Sequence, residues 1–99
     1  MKQRYYTIKS AAALCGMHEQ SLRLYERRGL IRPQRSPGNI RRYSDLDIEQ
    51  IRFIKRLVDD LGVNLAGVEV ILHLRHQLVE AQRELDALRQ RLAVEQPAE

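Results

Sequence analysis

The sequence has one cysteine and three prolines in 99 residues, and its longest uncharged apolar run, Ala11 to Met17, is seven residues. The lone Cys15 excludes an internal disulfide, and without a cysteine cluster there is no cage for a structural zinc. The fold must stand on packing alone. Seven apolar residues fall far short of the roughly 20 that a membrane helix needs, so no membrane partner is expected. The start, MKQRYYTIKSAAALCGM, places basic residues before small apolar ones but lacks an A-x-A cleavage site, which points to a cytoplasmic protein. Acid is scarce in the front half. Residues 1–44 carry two acids against ten lysines and arginines, a charge of +8, whereas residues 45–99 carry eleven acids against seven bases, or −4. That asymmetry confines a surface for nucleic acid or another polyanion to the front, the alternative being a basic face kept for solubility. No nucleophile-base-acid set, phosphate loop or paired carboxylates appear, so neither catalysis nor a cofactor is expected. The ligand-like spacings Cys15-x-x-His18 and His73-x-x-His76 read as a buried thiol and a solvated pair rather than metal sites.

What is present in the front half is punctuated helix. Thr7 is a candidate N-cap for Ile8, Ala11, Ala12 and Cys15 at helical spacing, and Gly16 is a stop. A second helix spans about Glu19 to Arg28, with Leu22 and Tyr25 apolar and Gly29 ending it. Two short helices joined by a tight turn make a helix-turn-helix, whose second helix can enter a major groove. Leu30-Ile31 and Ile40 to Tyr43 then flank a Pro33…Ser36-Pro37-Gly38-Asn39 turn cluster, which predicts a short hairpin, or wing. Ser44 with Asp47 reads as a variant capping box for a third helix over Ile48, Ile51, Ile54, Leu57 and Leu61, stopped at Gly62. Asn64 can cap a fourth.

From Leu65 there is no proline until Pro97 and Gly67 is the single glycine. Within that stretch Ile71, Leu74, Leu78, Ala81, Leu85, Leu88 and Leu92 alternate spacings of three and four. This is a heptad seam about 33 Å long, and a narrow apolar stripe on a polar helix asks for another helix to cover it. A homodimer is therefore expected, with folding back onto the small domain as the alternative. His73 and His76 fall at outward positions. Charges at the flanking positions match in either orientation and leave the direction of pairing open.

The stretch from Ser21 to Tyr43 concentrates seven arginines with a single acid. Arginine presents a planar fork that pairs with phosphate or, bidentately, with guanine O6 and N7. On the second helix Gln20, Arg23 and Arg27 lie off the Leu22/Tyr25 face, and the hairpin adds Arg35, Arg41, Arg42 and the amphipathic Tyr43. Together with His18 and Ser21 these are the candidate DNA contacts, and they supply candidates both for base edges and for backbone. Arg28 and Arg32 lie near a helix end and serve equally as caps on carbonyls.

The order Tyr6-Thr7-Ile8, Cys15-Gly16-Met17, Leu22-Arg23-Leu24-Tyr25-Glu26-Arg27-Arg28-Gly29-Leu30-Ile31-Arg32-Pro33, Arg41-Arg42-Tyr43-Ser44 and Leu61-Gly62-Val63-Asn64-Leu65 resembles the MerR-family winged helix-turn-helix regulators over about residues 5–74. Gly16 to His18, Arg41 to Ser44 and Asn64 to Val68 resemble the HspR-type heat-shock repressors within it. The resemblance implies a mainly α fold: a winged helix-turn-helix domain over 5–74, a coiled-coil dimerisation helix over 71–92 and a short polar tail over 93–99. It also implies a second helix in the major groove, a wing on flanking backbone, C-terminal helices paired antiparallel and an inverted-repeat operator. The HspR likeness adds repression of chaperone genes in a bacterium, with an Hsp70-type chaperone as a co-repressor. Two positions depart from the family pattern. Leu24 replaces a frequent aromatic, and His18 replaces the usual Ser/Thr N-cap, leaving either a weaker cap or an imidazole turned to DNA. Many members continue into an effector domain or cysteine metal loop, and beyond Leu92 this chain has AVEQPAE, so no direct sensing of a drug or thiophilic metal is expected. The alternatives to a repressor are an activator of another regulon, a phage-type architectural or excision factor, and a coiled-coil adaptor that meets an acidic protein.

Overall fold

The computed structural model describes residues 3–95. Its elements run β1 (Tyr5–Tyr6), α1 (Ile8–Cys15), α2 (Glu19–Arg27), β2 (Gln34–Arg35), β3 (Arg41–Ser44), α3 (Asp45–Lys55) and α4 (Leu65–Glu95). They fall into two units, Met1–Val68 and Glu69–Glu99.

In the first unit, local chemistry sets most of the boundaries. The Thr7 hydroxyl accepts from the Ser10 amide at 3.1 Å and starts α1. At its other end Gly16, with a left-handed φ of 64°, lets the Met17 amide turn back to the Ala12 carbonyl at 2.9 Å. The same device ends α2, where Gly29 has φ 75° and the Leu30 amide bonds the Tyr25 carbonyl at 2.9 Å. α1 packs against both α2 and α3, and Ala11, Ala12 and Cys15 of α1, Leu22 and Tyr25 of α2 and Ile48, Ile51 and Ile54 of α3 are all buried. Each buried large side chain contributes roughly 1.5–3 kcal/mol, which is what seats α2.

The sheet differs from the expected hairpin in two ways. It has three antiparallel strands in the order β1-β3-β2, with Tyr6 opposite Tyr43 and Arg35 opposite Arg41. A two-residue strand such as β1 is too short to show a period of two. The first wing strand is Gln34–Arg35, not Leu30-Ile31. Those two apolar residues are 3 % exposed and belong to the core, where Gln50 Nε2 donates to the Leu30 carbonyl at 2.9 Å in place of a strand partner.

Ser44 and Asp47 form the capping box in both directions, 3.1 Å and 2.9 Å, and launch α3. Its continuation, Arg56–Asp60, widens into a π turn instead of remaining α. There the Leu61 amide reaches the Arg56 carbonyl at 3.2 Å, and Gly62, φ 68°, ends the element. Asn64 Oδ1 then accepts from the Gly67 amide at 2.8 Å at the start of α4. A side-chain carbon on Gly67 would meet Val63 Cγ1 at 2.8 Å, so this helical position has no room for alanine without a shift.

The second unit is helix throughout its described length, as part of an α4 of 31 residues. Leu74, Leu78, Leu85, Leu88 and Leu92 are 41–70 % exposed along it. Ala81 is exposed and Ile71 half-buried. Among the described residues no helix is long and apolar enough to cross a membrane.

Candidate nucleic-acid interface

Leu22 and Tyr25 are 0 % and 6 % exposed, and they fix which side of α2 faces out. Gln20, Arg23 and Arg27, at spacings of three and four, share the opposite side. Gln20 and Arg27 are exposed, while Ser21 and Arg23 are half-buried. Arg23 Nη2 sits 3.6 Å from Glu19 Oε1, one turn back, a pairing loose enough for a competing anion to displace. His18 is the exposed N-cap of α2 and makes no side-chain bond to the helix amides. The side-chain cap expected of Ser or Thr is thus missing at this position, and the exposed imidazole stands at the helix start.

The wing is tied to α2 by one carboxylate. Arg41 Nε donates to Glu26 Oε1 at 2.6 Å and Arg35 Nη2 donates to Glu26 Oε2 at 3.0 Å. Burial acts to raise the Glu26 pKa, but hydrogen bonds and charge from Arg41 and Arg35 outweigh it and hold the carboxyl below its usual range. The same bond holds Arg41 protonated even above its normal pKa. All three side chains are 23–39 % exposed, so the pairs add no more than about 0–1 kcal/mol each to stability and act chiefly on geometry.

Strand alternation then sorts β3. Arg41 and Tyr43 project to one face and Arg42 to the other. The Arg42 guanidinium lies 4.0 Å above the ring centroid of Tyr5 on β1, a stacked position that keeps the cation at the surface while holding it in place. Tyr43 does not reach that surface. It is fully buried, its hydroxyl has no hydrogen-bond partner, and burial pushes its pKa up. The expectation of a DNA contact at Tyr43 is therefore corrected: residue parity along β3 turns its ring into the core. The wing tip is closed by Ser36–Asn39, with the Asn39 amide on the Ser36 carbonyl at 2.8 Å and Asn39 itself at φ 62°.

The structure thus brings Arg35 and Arg41 to α2, and leaves Arg42 on the outer sheet face beside Tyr5. Sequence reasoning missed Glu26 and Tyr5. The signal for Glu26 was available, since it is the sole acid among seven arginines from Ser21 to Tyr43. Cys15 is buried, with its thiol 4.0 Å from the Ile48 carbonyl and its pKa raised by burial. Among the described residues no group of three or more His, Cys, Asp or Glu is placed to hold a metal.

Two short helices, a capped third and an antiparallel hairpin latched to the second define a winged helix-turn-helix. The sequence profile of the MerR HTH family of regulatory proteins matches residues 6–74, and the chain belongs to that family. A Streptomyces coelicolor protein carrying the name HspR, a heat shock protein, is 48 % identical over 77 residues, which are 78 % of this chain and 51 % of that protein. The HTH-type transcriptional regulator MlrA of Salmonella typhimurium is 46 % identical over 68 residues, 68 % of this chain and 28 % of MlrA. The chain thus spans about half the length of the first relative and less of the second. Among solved structures, HiNmlR, a MerR family regulator lacking the sensor domain and bound to promoter DNA, shares the fold. The TM-score is 0.66 at 23 % identity, covering 91 % of this chain and 85 % of HiNmlR.

Proposed function

We propose that the protein is a dimeric, sequence-specific transcription regulator that binds an inverted-repeat operator and represses heat-shock or chaperone genes. The observation that carries this reading is the latch between α2 and the wing: Glu26 gathers Arg35 and Arg41 beside the helix that bears Gln20, Arg23 and Arg27. In this reading α2 lies in the major groove. Arg23 and Gln20 meet base edges, His18, Ser21 and Arg27 fix the helix on phosphates, and Arg42 grips flanking backbone from its seat on Tyr5. Arg35 and Arg41 are engaged by Glu26 and serve chiefly as the mount of the wing beside the phosphate path.

Two copies pair through Ile71, Leu74, Leu78, Ala81, Leu85, Leu88 and Leu92 of α4, antiparallel as in the family resemblance, because five exposed leucines on one 31-residue helix are costly to leave in water. The HspR relative, named as a heat shock protein, supports the choice of heat-shock genes, and the resemblance to HspR-type repressors brings an Hsp70-type chaperone as co-repressor into the reading. The setting is the bacterial cytoplasm, on the nucleoid when bound. Selection of bound duplexes from a random pool tests the reading: an inverted repeat is the expected product. Enrichment of single half-sites would reject the dimeric operator, and no enrichment would reject sequence-specific binding.

A further inference from the structure

Between Ser21 and Tyr43 the chain spends its one acid at the joint of helix and wing. One oxygen of Glu26 takes Arg41 from β3 and the other takes Arg35 from β2, and those two arginines are direct partners across the hairpin. Arg35 reaches further, its Nη1 donating to the Asn39 carbonyl at 3.4 Å, so the carboxylate is connected to the wing tip. For general attraction to DNA this is the wrong residue. It adds negative charge to a basic face and occupies two guanidinium groups that phosphates would otherwise claim. For stability it offers little, since pairs this exposed are weak. What it does fix is the distance and angle between the wing and the outward face of α2.

We propose that Glu26 is a positioning residue for selectivity: by engaging Arg35 and Arg41 it holds the wing in register with Arg23 and keeps those two cations from gripping arbitrary duplexes. The proposal rests on reading α2 and the wing as a DNA surface. Its consequence is a split that loss of fold or loss of charge alone would not give. Removing the acid weakens the correct sequence while strengthening, or sparing, the wrong ones.

The test uses the full chain, the operator recovered by selection with the unmutated protein, and a shuffled duplex of equal length. Glu26→Gln is expected to bind the operator about tenfold or more weakly and the shuffled duplex at least as tightly. Its salt slope on the shuffled duplex should steepen by up to about 2 per protomer, or about 4 per dimer, for two guanidinium groups in each copy released to phosphates at about 0.9 each. Glu26→Asp keeps the charge but withdraws the carboxylate by one carbon, so it should lose selectivity with the slope unchanged. Glu19→Gln removes the same charge from the same helix without touching the wing, and should tighten both duplexes while retaining most of the discrimination. Wild-type discrimination by Glu26→Gln overturns the proposal. So does loss of the helical circular dichroism signal in both Glu26 variants, which would make the residue a stabilising one. Failure of the unmutated protein to distinguish the two duplexes rejects the DNA-binding reading itself, before any variant is compared.

Discussion

Arg41 Nε and Glu26 Oε1 lie 2.6 Å apart, joining a wing strand to the second helix across 15 residues of sequence. With Arg35 on the other carboxylate oxygen at 3.0 Å, a single acid organises the two elements from which DNA contacts would come. Because the pair is only partly exposed, the carboxylate keeps its charge against desolvation through its two partners.

That balance has a pH signature. The folded carboxyl ionises below an ordinary glutamate's 4.5, so between the two values the unfolded chain binds more protons and stability rises with pH. The contribution is complete above about pH 4.5 and disappears as pH falls through the lower, folded value. Acid titration of unfolding stability should therefore show a shallower acid limb in Glu26→Gln than in the unmutated protein. Parallel acid limbs would deny the latch any electrostatic role.

Tyr43 should tolerate loss of its hydroxyl. A buried hydroxyl without a partner carries its desolvation cost unrelieved, so Tyr43→Phe is expected to be neutral or stabilising by up to about 1 kcal/mol in denaturant unfolding. It should leave DNA affinity unchanged. A destabilisation of about 2 kcal/mol would mean that the hydroxyl has a partner after all.

Arg23 and Arg42 should fail differently. Arg23→Ala is expected to cost about 1–3 kcal/mol on the operator and to relax base preference, whereas Arg42→Ala should weaken all duplexes alike. Tyr5→Leu should partly reproduce the second effect, because it removes the ring that holds the guanidinium at 4.0 Å. Competition against singly mutated operators separates the two patterns, and an Arg23 variant that still discriminates every base position refutes the assignment.

Binding should be steeply salt-dependent. If the dimer neutralises about six to ten phosphates, affinity falls by roughly 10³–10⁵ between 50 and 200 mM salt. Fluorescence anisotropy across that range measures the slope directly, and a flat response would contradict a phosphate-based grip.

The leucine seam should control association. Leu78 is 70 % exposed on α4, so Leu78→Glu is expected to leave the first unit folded and to shift sedimentation equilibrium toward monomer. Operator affinity should fall with it while binding to a single half-site persists. Unchanged association in this variant would rule out the seam as the interface.

How much of this was legible in the residues depended on range. Thr7, Gly16, Gly29, Ser44 with Asp47, and Asn64 act on amides within a few positions, and each marks the boundary that its chemistry predicted. The candidate contacts on α2 followed from helical spacing around Leu22 and Tyr25. The wing was harder. Leu30-Ile31 have strand-like composition, but their burial and the bond from Gln50 to Leu30 depend on α3, 20 residues away. The parity of β3, which buries Tyr43 and turns Arg42 to the opposite face, is set by pairing with Tyr5-Tyr6 at the other end of the domain. The π turn at Arg56–Asp60 carried no signal in a sequence that reads as ordinary helix.

The sequence by itself determined the helices, their caps, the charge division between the two halves and the heptad seam, because each arises from neighbours within a turn or two of the chain. Tertiary structure alone decided which arginines are engaged and that Tyr43 is buried. Those outcomes hang on contacts such as Glu26 with Arg41 and Arg42 with Tyr5, which exist only after the hairpin has closed against both the second helix and the first strand.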